Sequence, residues 1–201
     1  MSFKKNKYVV VRNALKKDWC DFAHIYYNLK FSAIHHLRVD LKQHLPDCMG
    51  HVGSDSQSNS YFHNYGDMLG DSLLYYLGKP MSEETDLHLI PTYSYMRIYK
   101  KGAVLKKHTD RPSCEISAPL NICGGEKWPI YVQPKKGKKK KSKIILGPGD
   151  LLIYRGMNLH HWRDKFKQQS CIQIFLHYND ENGPFGKTNL FDGRKTLGIS
   201  K

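Results

Sequence analysis

His108, Thr109 and Asp110 stand in a row, and a second histidine cluster, His160-His161, follows some fifty residues later in Gly149-Asp150-Leu-Leu-Ile-Tyr-Arg-Gly-Met-Asn-Leu-His-His161-Trp162. Two imidazoles and one carboxylate gathered on one side of a metal ion leave its opposite positions open to small ligands. That is the donor set of non-haem iron(II) centres that activate dioxygen. The His-x-Asp spacing suits an extended segment, where side chains at i and i+2 point the same way. The same alternation means that only one of His160 and His161 can face a shared metal. With 11 histidines in 201 residues, the tripeptide alone is ordinary. Its surroundings carry the argument.

Upstream runs Pro91-Thr-Tyr-Ser-Tyr95-Met-Arg97-Ile-Tyr99-Lys-Lys-Gly102-Ala-Val-Leu-Lys-Lys-His108-Thr-Asp110-Arg111. Downstream, Ile144-Ile-Leu-Gly-Pro-Gly149-Asp150-Leu-Leu-Ile-Tyr154 precedes the second histidine cluster. A Tyr-Arg-x-Tyr strand, a glycine, His-x-Asp-Arg and then a Pro-Gly-Asp strand resemble the 2-oxoglutarate and iron(II)-dependent dioxygenases, especially the prolyl-4-hydroxylase-like branch. The resemblance covers about residues 90–180. It implies a jelly-roll double-stranded β-helix, Fe(II) and 2-oxoglutarate as cofactor and co-substrate, and His108, Asp110 and His161 as metal ligands. His161 is selected over His160 because His161-Trp-Arg-Asp matches the family's distal element.

The resemblance also implies decarboxylation of 2-oxoglutarate to succinate and carbon dioxide, coupled to hydroxylation of a C–H bond. It points to a peptide or protein side chain as substrate. Nucleic acid is a less favoured partner, since the two spaced arginines that follow the distal histidine in nucleic-acid demethylases are absent here. A non-catalytic jelly-roll module using its lysines would be a third possibility, but the complete His-Asp-His set opposes it. The branch usually places a Lys or Arg about ten residues after its distal histidine, to hold the far carboxylate of 2-oxoglutarate. Here that residue is Cys171, and positions 168–186 contain no Lys or Arg. Tyr95, Arg97 and Tyr99 share one strand face. Tyr99 occupies a place where relatives carry a tyrosine that bonds the co-substrate, so Arg97 is the expected replacement cation. Gln173 and His177 are weaker donors on the strand that holds Cys171, and Arg111 either orients Asp110 or reaches substrate.

A chain of this length with 40% hydrophobic residues can bury a full core as one unit. It contains no run of about 18 apolar residues to span a membrane, and its initial Val9-Val10-Val11 run is too short for a signal-peptide core. Five irregularly spaced cysteines fit reduced thiols, so the expected setting is cytoplasmic. The formal charge is +14, and seven lysines between Lys135 and Lys143 supply half of that excess. They sit between two apolar stretches, as a solvated hairpin loop would, and without interleaved aromatics.

The elements that must position the site read as α then β. A short strand covers Lys7–Arg12, a helix Asp18–Leu29, a second helix Ser32–His44, and a long loop Gly50–Asn64. A third helix covers Gly66–Leu77 and stops at Gly78-Lys-Pro80. From about Leu87 the chain turns to strands at Tyr93–Tyr99, Ile116–Ile122, Ile130–Val132, Ile144–Leu146, Leu151–Tyr154 and Cys171–Tyr178. The expected class is α+β, mainly β: a helical support over about 1–86, a jelly-roll core over about 87–180, and a tail over 181–201, all in one oxygenase domain.

Overall fold

The computed structural model describes residues 3–135, 140–186 and 188–199. A one-turn helix α1 (Phe3–Asn6) leads into β1 (Tyr8–Val11) and the long helix α2 (Lys17–His35), followed by β2 (His51–Val52), β3 (Ser60–Tyr65) and α3 (Met68–Thr85). The remainder is β4 (Leu89–Lys100), β5 (Leu105–His108), β6 (Ile116–Cys123), β7 (Ile130–Pro134), β8 (Ser142–Ile144), β9 (Leu151–Arg155), β10 (Leu159–Arg163) and β11 (Ser170–Asp180). Seven strands form a large antiparallel sheet in the order β1-β9-β6-β11-β4-β3-β2, and four form a smaller one in the order β5-β10-β7-β8. This is the mainly β jelly roll that the sequence implied.

The period of two decides what lies where. Met96 and Ile98 of β4, Ile172, Ile174 and Leu176 of β11, and Ile116 and Leu120 of β6 pack against Ala23, Tyr27, Leu74, Leu77 and Met81 of the helices. The odd-numbered residues of β4 and β11 therefore face the smaller sheet. Between the sheets, one apolar cluster gathers Ile130, Val132, Ile144, Leu152 and Leu159. A second gathers Tyr99, Ala103, Trp128, Phe166 and Cys171. Along β10, Leu159 belongs to the first cluster and Arg163 stacks on Trp128 of the second, with His161 between them. Gly149 takes φ +80°, which the Pro-Gly-Asp turn needs before β9. Asp150 closes that turn by accepting from the Gly147 amide at 2.8 Å and the Asn13 amide at 3.1 Å.

Several expected elements differ. The first 86 residues are not only helical, since β1, β2 and β3 from this region all join the large sheet. Gly50–Asn64 was expected as a loop because it is rich in Gly, Ser and Asn. Its end instead pairs with β4, Phe62 opposite Ile98 and Asn64 opposite Met96, so tertiary pairing overrides a polar composition. The two expected helices after Lys16 are one, α2, which runs into a π-helical turn at His36–Asp40. Of the apolar residues marking α2, Ala23 is buried while Trp19, Phe22, Ile25 and Leu29 remain exposed. The third helix does not stop at Gly78 but carries Pro80 within it to Thr85. Pro80 and Tyr76, whose carbonyl loses its helical partner, are both exposed, so water can satisfy that group while Leu77 and Met81 stay packed. Strands β5 and β10, which carry the histidines, had no β-rich run to announce them.

Candidate metal centre

His108 closes β5 and sits directly opposite His161 of β10, so the two histidines are nearest cross-strand neighbours, with ring centroids 4.1 Å apart. Asp110 lies two residues beyond the strand end, where its amide donates to the Gly156 carbonyl at 3.0 Å. One ligand atom from each of His108, Asp110 and His161 lies within 4.8 Å of the others. Alternation along β10 turns Leu159, His161 and Arg163 inward, while His160 points away. His160 is not part of the cluster.

The tautomers follow from the acceptors. His108 Nδ1 is 2.7 Å from the Lys106 carbonyl and His161 Nδ1 is 3.2 Å from the Leu159 carbonyl. A carbonyl can only accept, so Nδ1 of each ring carries a proton, and Nε2 is the nitrogen that would bind a metal. Both Nε2 atoms face Asp110 Oδ1, at 3.7 Å from His108 and 3.3 Å from His161. The second carboxylate oxygen of Asp110 accepts from the Ser117 hydroxyl at 2.6 Å. Burial pushes the Asp110 carboxyl up, but the attraction of His161, then His177 and Ser117, outweighs it and brings the group down to about 2. Burial, then repulsion from His161, lowers the His108 imidazole, and burial takes His177 down to about 4. The set is one carboxylate and two imidazole nitrogens, the donor types that a divalent metal takes.

The three open onto a cavity of about 460 Å³, whose wall includes Arg97, Tyr95, Tyr154, Phe175 and Arg111. Arg97 does point inward, as the strand face predicted. It is ion-paired with Asp55 of the β2–β3 connection, and also donates to the Tyr99 hydroxyl at 3.0 Å and the Gln57 side chain at 3.3 Å. Tyr99 and Gln173 are fully buried, and β4 and β11 set Gln173 opposite Arg97 and Cys171 opposite Tyr99. Arg111 forms a double hydrogen bond to Asp192 of the C-terminal segment, at 3.0 and 2.8 Å, and lies 4.8 Å above the Tyr93 ring.

Sequence reasoning passed over Asp55, Ser117, Gly156 and Asp192. Only Gly156, in the Arg-Gly-Met turn ahead of the histidines, left any local mark.

No protein-family profile matches the chain, and no curated protein is similar to it. Solved structures are similar. A prolyl-4-hydroxylase of Pseudomonas putida superposes with a TM-score of 0.57 at 12% identity, covering 87% of this chain and 94% of that one. The fold is that of the 2-oxoglutarate and iron(II)-dependent oxygenases. HygX from Streptomyces hygroscopicus, solved with nickel and 2-oxoglutarate bound, gives 0.58 at 12% identity over 91% of this chain and 86% of its own. EctD from S. alaskensis, solved with 2-oxoglutarate and 5-hydroxyectoine, gives 0.63 at 13% over 99% and 85%.

The lysine-rich segment does lie in the β7–β8 connection, and those strands pair as a hairpin, Ile130 opposite Ile144. Residues 136–139 lie outside the described residues. Aromatics interleave with the flanking lysines after all: Tyr131 and Trp162 stack at 5.4 Å, under Lys141 and Lys107. They were hidden because Trp162 comes from β10, far away in sequence. Among the described residues no helix is long and apolar enough to cross a membrane.

Proposed function

We propose that this protein is an iron(II)- and 2-oxoglutarate-dependent dioxygenase that hydroxylates a C–H bond in a peptide or protein side chain. The observation that carries the reading is the convergence of His108, Asp110 and His161 at one end of an open cavity. Two Nε2 lone pairs and one carboxylate fit a facial iron(II) site, and would hold the ion. Bound there with 2-oxoglutarate, the metal supplies the dioxygen activation that no side chain can perform.

The chain's own residues place the reactants. Ser117 fixes one Asp110 oxygen and leaves the other directed at the imidazoles. The Lys106 and Leu159 carbonyls fix each ring's rotation. On the large sheet Arg97 gives the cavity a polar wall, with Tyr99 and Gln173 fully buried beside it. Phe175, Tyr154 and Tyr93 line the rest and exclude water from part of the cavity.

A peptide substrate is supported by a cavity that opens to solvent beside stacked rings, Tyr65 on Tyr93 at 4.8 Å and Tyr93 against His177 at 4.5 Å. The similarity to a prolyl-4-hydroxylase supports it too. The test is anaerobic loading with iron(II) and 2-oxoglutarate, followed by air and a proline-containing peptide library. Succinate release with peptides gaining one oxygen atom is the expected result. Succinate release without any modified peptide would move the substrate to small molecules. No succinate from metal-loaded protein would refute the proposal.

A further inference from the structure

The formal charge of this chain is +14, yet no lysine lines the cavity at the metal site. A second cavity, also of about 460 Å³, lies where the start of β1 meets the start of β8, and the Tyr8 hydroxyl donates to Ser142 Oγ there at 3.0 Å. Lys5, Lys7, Lys135, Lys140 and Arg155 line it, and no carboxylate does. Arg155 is paired with Glu115, but the four lysines have no carboxylate partner among the described residues. Four ammonium groups around one hollow repel one another. An anion that the chain does not itself supply would relieve that repulsion.

Lys141, next in the chain after Lys140, carries the basic surface on to a pair of rings. Trp162 alternates along β10 with the inward His161 and Arg163, so it faces away from the metal. Tyr131 sits opposite it on β7, and the two rings stack at 5.4 Å, 20° from parallel. Lys107 lies over Trp162 at 4.8 Å and Lys141 over Tyr131 at 4.6 Å. Lys143 pairs opposite Tyr131 on β8, and Asp164 lies beside the Tyr131 hydroxyl, at the rim of that ring. These lysines are exposed and both rings are partly exposed. Cations alone attract any polyanion, and an acidic peptide would satisfy the lysines while leaving the rings unused. A base, by contrast, stacks on an aromatic face while its phosphate meets a neighbouring ammonium. An exposed lysine holds a ring more weakly than a stacked base does, so Lys107 and Lys141 can exchange their ring contacts for phosphates. Bases inside a duplex offer no free face, so the strand must be single.

We infer that the basic cavity at β1 and β8 and the Tyr131–Trp162 ring pair form one docking surface for a single-stranded nucleic acid, with phosphates on the lysines and bases on the rings. Neither ring lines the metal cavity, so a strand docked here is an anchor and not the group that is oxidised. The inference stands independently of the function proposed above.

The test uses the full chain, titrated by fluorescence anisotropy with labelled single-stranded RNA and DNA of one mixed sequence, about 20 nucleotides long. Binding of either strand supports the inference, and the difference between them reports whether the sugar is read. Log affinity should fall against log salt with a slope of about −3.5 or steeper, as Lys5, Lys7, Lys107, Lys140 and Lys141 meeting phosphates would give. Inorganic polyphosphate and polyglutamate of the same length should compete at least about 10-fold less well, because they carry the charge without the bases. Tyr131→Leu should weaken the strand by at least about 5-fold and leave polyphosphate unchanged, while Tyr131→Phe, which keeps the ring, retains wild-type affinity. Lys5→Gln combined with Lys140→Gln should weaken both ligands and flatten the salt slope by about 1.4. Cobalt(II) binding by Tyr131→Leu should match wild type. If Tyr131→Leu fails to fold, competition on the wild-type protein decides. The inference is overturned if neither strand binds with a Kd below about 100 µM near physiological salt. It is equally overturned if polyphosphate or polyglutamate competes as well as the strand, or if folded Tyr131→Leu binds within about twofold of wild type. Binding to phosphatidylserine vesicles without binding to either strand would assign the surface to a membrane instead.

Discussion

Replacing Gly156 with alanine should break the metal site without touching a ligand. Gly156 follows β9, donates its amide to the Glu115 carbonyl at 2.8 Å and accepts from the Asp110 amide at 3.0 Å. A Cβ added there would lie 2.8 Å from Asp110 Cβ, and closer still to Asp110 Oδ2 and the Cys114 carbonyl oxygen. Ordinary contact begins near 3.4 Å, so the Asp110 side chain must retreat by at least about 0.6 Å. The Cys114 backbone blocks the other direction and cannot yield as a side chain does. Ligand distances tolerate only about 0.2 Å. Metal affinity should therefore fall about 10- to 100-fold, or roughly 1.4–2.7 kcal/mol, with about 1–3 kcal/mol lost in stability from overpacking. Cobalt(II) titration followed by visible absorption measures the affinity, and urea unfolding of the metal-free protein measures the stability. Because the effect acts through one carboxylate, adding Gly156→Ala to Asp110→Ala should cost no further affinity. A folded Gly156→Ala variant that binds cobalt as tightly as wild type would refute the reasoning.

Other substitutions test neighbouring steps. His161→Ala should abolish cobalt binding while His160→Ala leaves it within a few-fold; the reverse would mean that the β10 register is wrong. Arg194→Met leaves Asp71 buried and unpaired, removing contacts to Asp71, the Thr92 carbonyl and the Ile199 carbonyl. It should cost about 3–5 kcal/mol in urea unfolding, and less than about 1 kcal/mol would contradict the pairing. The Asp55 carboxyl is pushed up by burial but pulled further down by Arg97, Tyr95 and the Ser58 amide, a net depression. Its contribution is thus complete above its unfolded pKa of about 3.9 and is lost as pH falls through the lower folded value. Melting temperature should fall more steeply below pH 4 in wild type than in Asp55→Asn, and parallel curves would sink that account. Replacing Lys140, Lys141 and Lys143 with serine should leave peptide-independent succinate formation unchanged, since these side chains are exposed and none lines the cavity at the metal site. Any effect on a macromolecular substrate should shrink with salt.

How far the sequence carried depended on whether a feature was local. The inward face of Tyr95, Arg97 and Tyr99 follows from a period of two within one strand and holds in the fold, whereas the His-x-Asp pair straddles the end of β5, with Asp110 two residues past it. The choice of His161 over His160 needed the family's distal element, and β10 places it opposite His108. Strands β5 and β10 were illegible because Leu-Lys-Lys-His and Leu-His-His-Trp-Arg have little β-rich patterning; their partners, not their composition, hold them extended. Helix α3 ran past Pro80 because packing of Leu77 and Met81 outweighs one lost hydrogen bond. The partners of the arginines were wholly unreadable. Asp55 is 42 residues from Arg97 and Asp192 is 81 from Arg111, and nothing in a linear string marks such pairs.

Those pairs bear on the substrate. Asp55 reaches the cavity from the β2–β3 connection and Asp192 from the C-terminal segment, so both come from outside the jelly-roll core. Each covers an arginine in the cavity wall, and Arg111 and Tyr93 then present a cation–π stack beside the Tyr65 ring. A nucleic acid draws most of its affinity from cations that meet phosphates. Here the wall arginines already carry acid partners, and Lys107 and Lys141 lie instead over Trp162 and Tyr131 of the smaller sheet. On the function proposed above, flat rings beside acid-paired guanidinium groups would suit an uncharged, compact group such as a prolyl ring better than a sugar-phosphate backbone. On that proposal β5, the residues just after it and β10 would hold the metal, and the acids from the two flanking segments would set the charge that an incoming substrate meets.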